Sequence, residues 1–469
     1  MKKLFFAILG VFIALSASAQ DITGTWNGLL KVPGAELRIV IHFEKTSNGY
    51  SATLDSPDQG AKGLPASSVT INRDTVTIEV KSISGKIVGK IESDAKISAT
   101  LMQMGMKFPL DLVRGDAKEK VLIRPQEPVK PYPYYSEEVK FVNKIDGDTL
   151  AGTLTLPQKT GIYPVVVMIT GSGPQNRDEE LFGHKPFLVI ADFLTRNGIG
   201  VLRYDDRGVA SSTGNFNKAT SLDLSRDAES AVSYLMTRKD VNKKKIGLAG
   251  HSEGGVIAPM VAARNKNVSF VVLLAGTGVR GDVVLLTQTK AIAKASGASD
   301  KEVASLVKMN ETVYNMVMKS TDDASLKSEL KSYIKKTMDE DSINTKHLTE
   351  EDKAMRVNGM VDQIASPWMK YFMKYDPATA LVKLKIPVLA MNGTNDLQVL
   401  PDVNLPAIKK SLEKAGNKKF KTVEIPGLNH LFQECQKGSP DEYPNIEQTV
   451  SPKALDEMLK WIKIQIDNF

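Results

Sequence analysis

The hexapeptide GHSEGG at 250–255 constrains this chain more than any other stretch, because it sets a serine between glycines directly after a short, largely apolar run at 245–249. Glycines two before and two after Ser252 let a strand and a helix pass closely at a sharp turn, and that turn lifts the serine hydroxyl clear of the sheet. The motif predicts a strand, a tight turn with Ser252 at its apex as a nucleophile, and a helix. A G-x-S-x-G string also arises by chance in glycine-containing chains, so its surroundings decide.

Those surroundings divide in two. From 20 to 116 the chain reads as short alternating strands, ELRIVIHF (36–43), SVTINRDTVTIEV (68–80), KIVGKI (86–91) and AKISATL (95–101), with no helical periodicity between them. A small antiparallel β domain is expected, a curled sheet or partial barrel. ITGTWNG (22–28) resembles the opening of lipocalin-like barrels, with Trp26 read as a plug in the base of the sheet. Pro125, Pro128, Pro131 and Pro133 then mark a semi-rigid linker over 117–136.

From 137 onward strands alternate with helical patterns, which implies a doubly wound, mainly parallel sheet covered on both faces. The segments 139–143 and 149–157 read as an opening hairpin, and 163–171, 198–205, 268–276 and 386–393 as buried strands. Helices are expected over 185–198 and 221–237, the second with Thr220 and Asp223 at its cap, and after Ser451 and Pro452. A polar, helical insertion at 279–376 interrupts the sheet and reads as a lid over the strand ends. Within it Trp368, Tyr371 and Phe372 are candidates to line an acyl pocket. Met309, Met316, Met318, Met369 and Met373 join them, most of these reading as helix core.

Lys2 and Lys3, the apolar run 4–15 and then Ala17-Ser18-Ala19 have the form of a cleavable signal peptide over 1–19, cut after Ala19, so the mature protein is expected to be secreted or periplasmic. The run is short for an uncleaved anchor, and no later segment suggests stable membrane insertion. Cys435 is the sole cysteine, which excludes an intrachain disulfide. The formal charge of +7 includes the two leader lysines and is widely spread, without the basic, aromatic-interleaved stripe of a nucleic-acid binder. No H-E-x-x-H, Cys/His cluster, Walker or dinucleotide fingerprint occurs, so neither metal nor cofactor is expected.

A serine nucleophile needs a base, and the chain has five histidines. His42 lies in the β domain, His184 precedes the serine, His347 lies in the lid, and His251 adjoins Ser252 in a turn that points its ring elsewhere. His430, in the loop after the strand 420–425, is the candidate base. Asp396, directly after the buried strand 386–392, is the candidate for the carboxylate that orients it, ahead of Asp402 and Glu434. Backbone N–H groups of Glu253 and Ser172 are the expected oxyanion donors, the latter from the glycine-rich turn GSGPQNRDE (171–179). Arg177 and Asp178 are expected to pair within that turn, and RYDDRG (203–208) to brace neighbouring loops.

Together GSGPQNRDE, YDDRGVASSTG, GHSEGG, GTNDLQV and GLNHLF, from 171 to 432, resemble the α/β-hydrolase superfamily, in particular secreted bacterial esterases of the dienelactone-hydrolase and serine-aminopeptidase-like branches. The resemblance implies an α/β-hydrolase fold over 137–469, and the order Ser252, Asp396, His430 is that of the superfamily. Thr170-Gly171-Ser172 stands in place of the HG-type oxyanion signature. The expected activity is hydrolysis of a small-molecule acyl ester through an acyl-enzyme. A peptidase or amidase of the same fold is the first alternative, and a catalytically silent ligand-binding protein is the alternative of another class.

Overall fold

Apolar runs without polar alternation form strands that are buried on both faces, and such runs make the centre of the sheet in the second part of the chain. The computed structural model describes residues 21–467 apart from 33–34, 48, 60, 84, 104–105, 116–123, 342–344 and 346–347. The leader 1–19, His347 and the first part of the expected linker lie outside the described residues.

An eight-stranded sheet runs in the order β10 (Tyr135–Val142), β11 (Thr149–Leu156), β13 (Gly200–Tyr204), β12 (Tyr163–Ile169), β14 (Val241–His251), β15 (Val268–Leu274), β16 (Val388–Gly393), β17 (Phe420–Ile425). β10 and β11 form the antiparallel opening hairpin, and β12 to β17 are parallel, so their carboxyl ends share one edge. Successive residues of β12 point into opposite cores. Val165, Val167 and Ile169 meet α2 (Ser221–Thr237), α3 (Gly254–Ala262) and α10 (Pro401–Lys414), while Val166 and Met168 meet α1 (Pro186–Arg196) and α11 (Pro452–Asp467). This is the doubly wound α/β-hydrolase fold. The expected capping box on α2 is present: the Asp223 carboxylate accepts from the Thr220 N–H at 2.8 Å and from its hydroxyl at 2.7 Å.

The insertion between β15 and β16 is helical throughout its described length: α4 (Gly281–Ala295), α5 (Asp300–Lys319), α6 (Asp323–Glu340), α7 (Glu350–Ile364) and α8 (Pro367–Lys374), followed by the short α9 (Ala378–Leu381). It has its own apolar core around Val313, Val317, Leu330, Val361 and Met373, against which Met316, Met318 and Met369 pack. These methionines fill the helix core, the alternative weighed for most of them. The proline-rich segment is also better anchored than a free spacer. The Arg124 guanidinium donates to the Ile446 carbonyl at 2.7 Å, and Gln126 exchanges hydrogen bonds with Thr449 and Val450. From Arg124 on, the chain therefore belongs with the hydrolase unit.

The amino-terminal unit is a nine-stranded antiparallel sheet in the order β4 (Ala61–Pro65), β3 (Gly49–Ser56), β2 (Ala35–Thr46), β1 (Gly24–Val32), β9 (Met106–Arg114), β8 (Lys96–Gln103), β7 (Gly85–Ser93), β6 (Thr75–Val80), β5 (Ser68–Asn72). Burial alternates along its strands, as in β6 and β8, and the sheet curls until β3 approaches β5, giving a half-barrel with a single core. Trp26 sits fully buried in that core. Its indole N–H donates to the Ile22 carbonyl at 2.8 Å, and the Arg114 guanidinium lies 4.5 Å over its ring. Trp26→Ala should cost this unit about 3–5 kcal/mol, read as faster hydrogen exchange confined to the amides of 21–115.

Candidate active site

The end of β14 and the start of α3 approach so closely that only hydrogen fits at the turn. A Cβ on Gly250 would lie 1.9 Å from the Gly254 carbonyl oxygen, and one on Gly254 would lie 2.2 Å from that of Ile169. Ser252 takes the left-handed conformation at φ 52°, uncommon for a residue with a side chain. Its N–H is held by the Leu274 carbonyl at 2.9 Å, which ties the turn to the neighbouring strand.

Because the strands are parallel, β16 and β17 deliver their following loops to the same edge. Asp396 is buried in the turn after β16. Its Oδ1 accepts the N–H groups of Gln398 and Val399, both at 2.8 Å, and its Oδ2 accepts the Asn392 amide at 3.1 Å and His430 Nδ1 at 2.8 Å. Four donors on one carboxylate suit its ionised form and place the imidazole proton on Nδ1, leaving Nε2 free to accept one. Asp402 is exposed in the first turn of α10, and Glu434 pairs with Lys453 at 3.2 Å, so neither competes for the histidine.

Ser252 and His430 line one cavity of about 270 Å³ with Ser172, Trp368 and Phe372. Val284, Leu285 and Leu431 extend its apolar wall, and Gln175, Gln288 and Gln398 give it a polar side. Trp368 and Phe372 stack at 5.2 Å on one face of α8. Tyr371 does not share that face: it stacks on Tyr375 and packs toward Val256 and Met260, a correction to its reading as a wall of the pocket. Glu253 caps α3, and its buried side chain accepts from Ser221 Oγ at 2.6 Å and from the Trp368 indole at 2.9 Å. Burial pushes this carboxyl above the usual range, against the lowering effect of those hydrogen bonds.

The expected Arg177–Asp178 pair does not form. Arg177 reaches Asp205 at 2.7 Å and Glu138, while Asp178 meets Arg203, so chain neighbours in this turn diverge to different partners. The bracing role of 203–208 is realised: Asp206 accepts from Thr170 Oγ1 and the Gln175 N–H, both at 2.9 Å, and Arg207 is paired with Asp227 at 2.6 Å. His184 is buried between Thr449 and the Tyr443 carbonyl, where burial lowers it to about 4. His42 pairs with Asp55 in the half-barrel. Glu179 is a site residue that the sequence reading passed over. Its Oε1 accepts the Gly171 N–H at 2.6 Å and faces His251 Nδ1 at 3.0 Å. Among the described residues no cluster of His, Cys, Asp and Glu is arranged to hold a metal ion, and no helix is long and apolar enough to cross a membrane.

The profile of the X-Pro dipeptidyl-peptidase (S15) family matches residues 146–406. Esterase EstD of Thermotoga maritima is 27% identical over 335 residues, 70% of this chain and 69% of that protein. An uncharacterized protein of Escherichia coli K12, YfhR, is 31% identical over 127 residues, 27% of this chain and 41% of its own. Among solved structures, the dienelactone hydrolase of Anabaena variabilis covers 71% of this chain and 98% of its own at 16% identity and a TM-score of 0.39. The α/β hydrolase GrgF of Penicillium covers 71% and 99% at 16% identity and a TM-score of 0.43.

The turn geometry makes one structural demand testable. Gly254→Ala should destabilise the hydrolase unit by about 3 kcal/mol or more, because the methyl meets backbone that cannot retreat. The loss would appear as a lower unfolding midpoint in guanidinium.

Proposed function

The chain belongs to the X-Pro dipeptidyl-peptidase (S15) family, and from that premise we propose that this serine hydrolase is a secreted enzyme cleaving short carboxylic esters through an acyl-enzyme. The observation that carries the proposal is the convergence of Ser252 and His430 on one cavity, with His430 Nδ1 held by Asp396 at 2.8 Å. The Ser252 hydroxyl attacks the ester carbonyl while His430 Nε2 takes its proton and Asp396 stabilises the imidazolium. The N–H groups of Glu253 and Ser172 receive the oxyanion. His430 then protonates the departing alcohol, and water, deprotonated by the same imidazole, releases the acid and restores the hydroxyl.

Chemistry favours a neutral ester over a dipeptide. A free peptide amino terminus carries an ammonium that wants an unengaged carboxylate. Glu179 in the cavity lining is only 5% exposed and already bonded to Gly171 and His251. The stacked pair Trp368 and Phe372 offers an apolar wall to a short acyl chain, while the glutamine side suits a polar alcohol. The family match keeps peptidase activity as the second reading. A panel of p-nitrophenyl esters of increasing chain length, run beside aminoacyl and Xaa-Pro p-nitroanilides, separates the two. Ester turnover falling beyond short acyl groups is expected, and efficient anilide cleavage without ester cleavage would reverse the assignment.

Phe372→Ala should shift the preferred chain length upward, by several-fold per carbon, since each added methylene buried is worth about 0.8 kcal/mol. In the same assay Ser252→Ala should lower kcat by roughly a millionfold and remove labelling by a fluorophosphonate. Asp396→Asn should lower it by about ten thousandfold, with Asp402→Asn and Glu434→Gln near wild type. Sensitivity of Glu434 or Asp402 instead would relocate the acid of the triad.

A further inference from the structure

His251 precedes the nucleophile, and both of its ring nitrogens face acceptors. Nδ1 lies 3.0 Å from Glu179 Oε1, and Nε2 lies 3.0 Å from the backbone carbonyl oxygen of His430. Neither a carboxylate nor a carbonyl can donate, so both contacts are hydrogen bonds only if both nitrogens carry protons. Glu179 is itself held in a left-handed conformation at φ 51°, with its N–H on the Asn176 carbonyl, and the same Oε1 accepts the Gly171 N–H at 2.6 Å. A backbone strain of this kind persists where surrounding contacts over-determine it.

We propose that His251 is a standing imidazolium which, with Glu179, forms a second histidine–carboxylate pair that positions the base His430 and the loop carrying Ser172. The inference rests on the reading of Ser252 and His430 as nucleophile and base. The chain of contacts runs from the Gly171 N–H through the Glu179 carboxylate and the His251 ring to the His430 carbonyl, so one cation pins the backbone on both sides of the cavity before any substrate arrives. The titratable groups facing the ring are Glu179 from the loop after β12, His430 from the loop after β17 and Asp396 from the turn after β16. On its remaining side Phe187 and Ile190 of α1 and Leu274 of β15 share a small apolar void with it. Burial alone pulls the imidazole down. The Glu179 charge and hydrogen bond, the His430 carbonyl and Asp396 together carry it above the ordinary value.

The pair also packs against the base: the His251 and His430 rings lie 4.7 Å apart between centroids. His251 touches no substrate in this scheme and is a positioning residue.

The test has two readouts on the full-length protein. In histidine labelled with nitrogen-15, the His251 signals, assigned by their loss in His251→Gln, should show both ring nitrogens protonated at about pH 8, well above the ordinary histidine value. One unprotonated nitrogen there overturns the proposal, and this measurement does not depend on catalysis. The second readout is steady-state turnover of His251→Gln. Its kcat on the best ester should fall by about ten- to a hundredfold with KM nearly unchanged. An unchanged kcat overturns the positioning role. A wild-type protein that neither labels nor cleaves any ester would point instead to failure of the nucleophile assignment, while the nitrogen spectrum still decides the charge on His251.

Discussion

The contact on which the rest of the structure depends is the approach of the β14 end to the α3 start, where the backbone atoms of Gly250, Gly254 and Ile169 leave no room for a methyl group. That closeness forces Ser252 into its left-handed conformation, and the strain is borne because Leu274 holds its N–H and two apolar cores clamp the sheet beneath. Everything chemical is then a matter of bringing loops to one edge. Parallel pairing from β14 through β17 does this without further instruction, since each strand ends where its neighbour does.

Loops at such an edge carry irregular backbone and buried polar groups that need partners. The segment 203–208 supplies them in bulk: Asp205 serves Arg177, Asp206 serves Thr170 and Gln175, and Arg207 serves Asp227 and Asp146. Arg203 is almost wholly shut off from water, and that burial draws its guanidinium down to about 10. Buried ion pairs of this kind add little net stability, yet removing one member leaves a charge stranded at a cost of about 3–5 kcal/mol. Their effect here is geometric, holding the turn 171–179 beside the nucleophile.

Much of this was legible in the chain. The turn at 250–255, the capping box of Thr220 and Asp223, the lid limits and the strand ends that carry Asp396 and His430 are all local patterns with a local cause. What was not legible depends on side-chain direction in loops. The run 178–180 offers three carboxylates, and nothing in its spacing singles out Glu179 as the one that turns back on Gly171 and His251. Chain adjacency misled at Arg177 and Asp178 for the same reason. On α8 the helical period did hold the answer: Trp368 and Phe372, four apart, form one stacked ladder, and Tyr371 and Tyr375 form a second on another face. Treating three aromatics as one wall overlooked that four-residue step.

Glu253 joins these levels at one point. Its backbone caps α3 directly after Ser252, while its carboxyl ties together Ser221 at the start of α2 and Trp368 of the lid. A full negative charge one residue from the nucleophile opposes negative charge developing on a bound carbonyl. Burial works against that charge by lifting the carboxyl toward its neutral form, while the hydrogen bonds pull the other way. Two buried carboxyl side chains near the nucleophile thus meet different kinds of partner. Glu179 faces the His251 imidazole, while among the described residues only hydroxyl and indole donors meet Glu253. That asymmetry anchors the lid on the Glu253 side through neutral hydroxyl and indole donors.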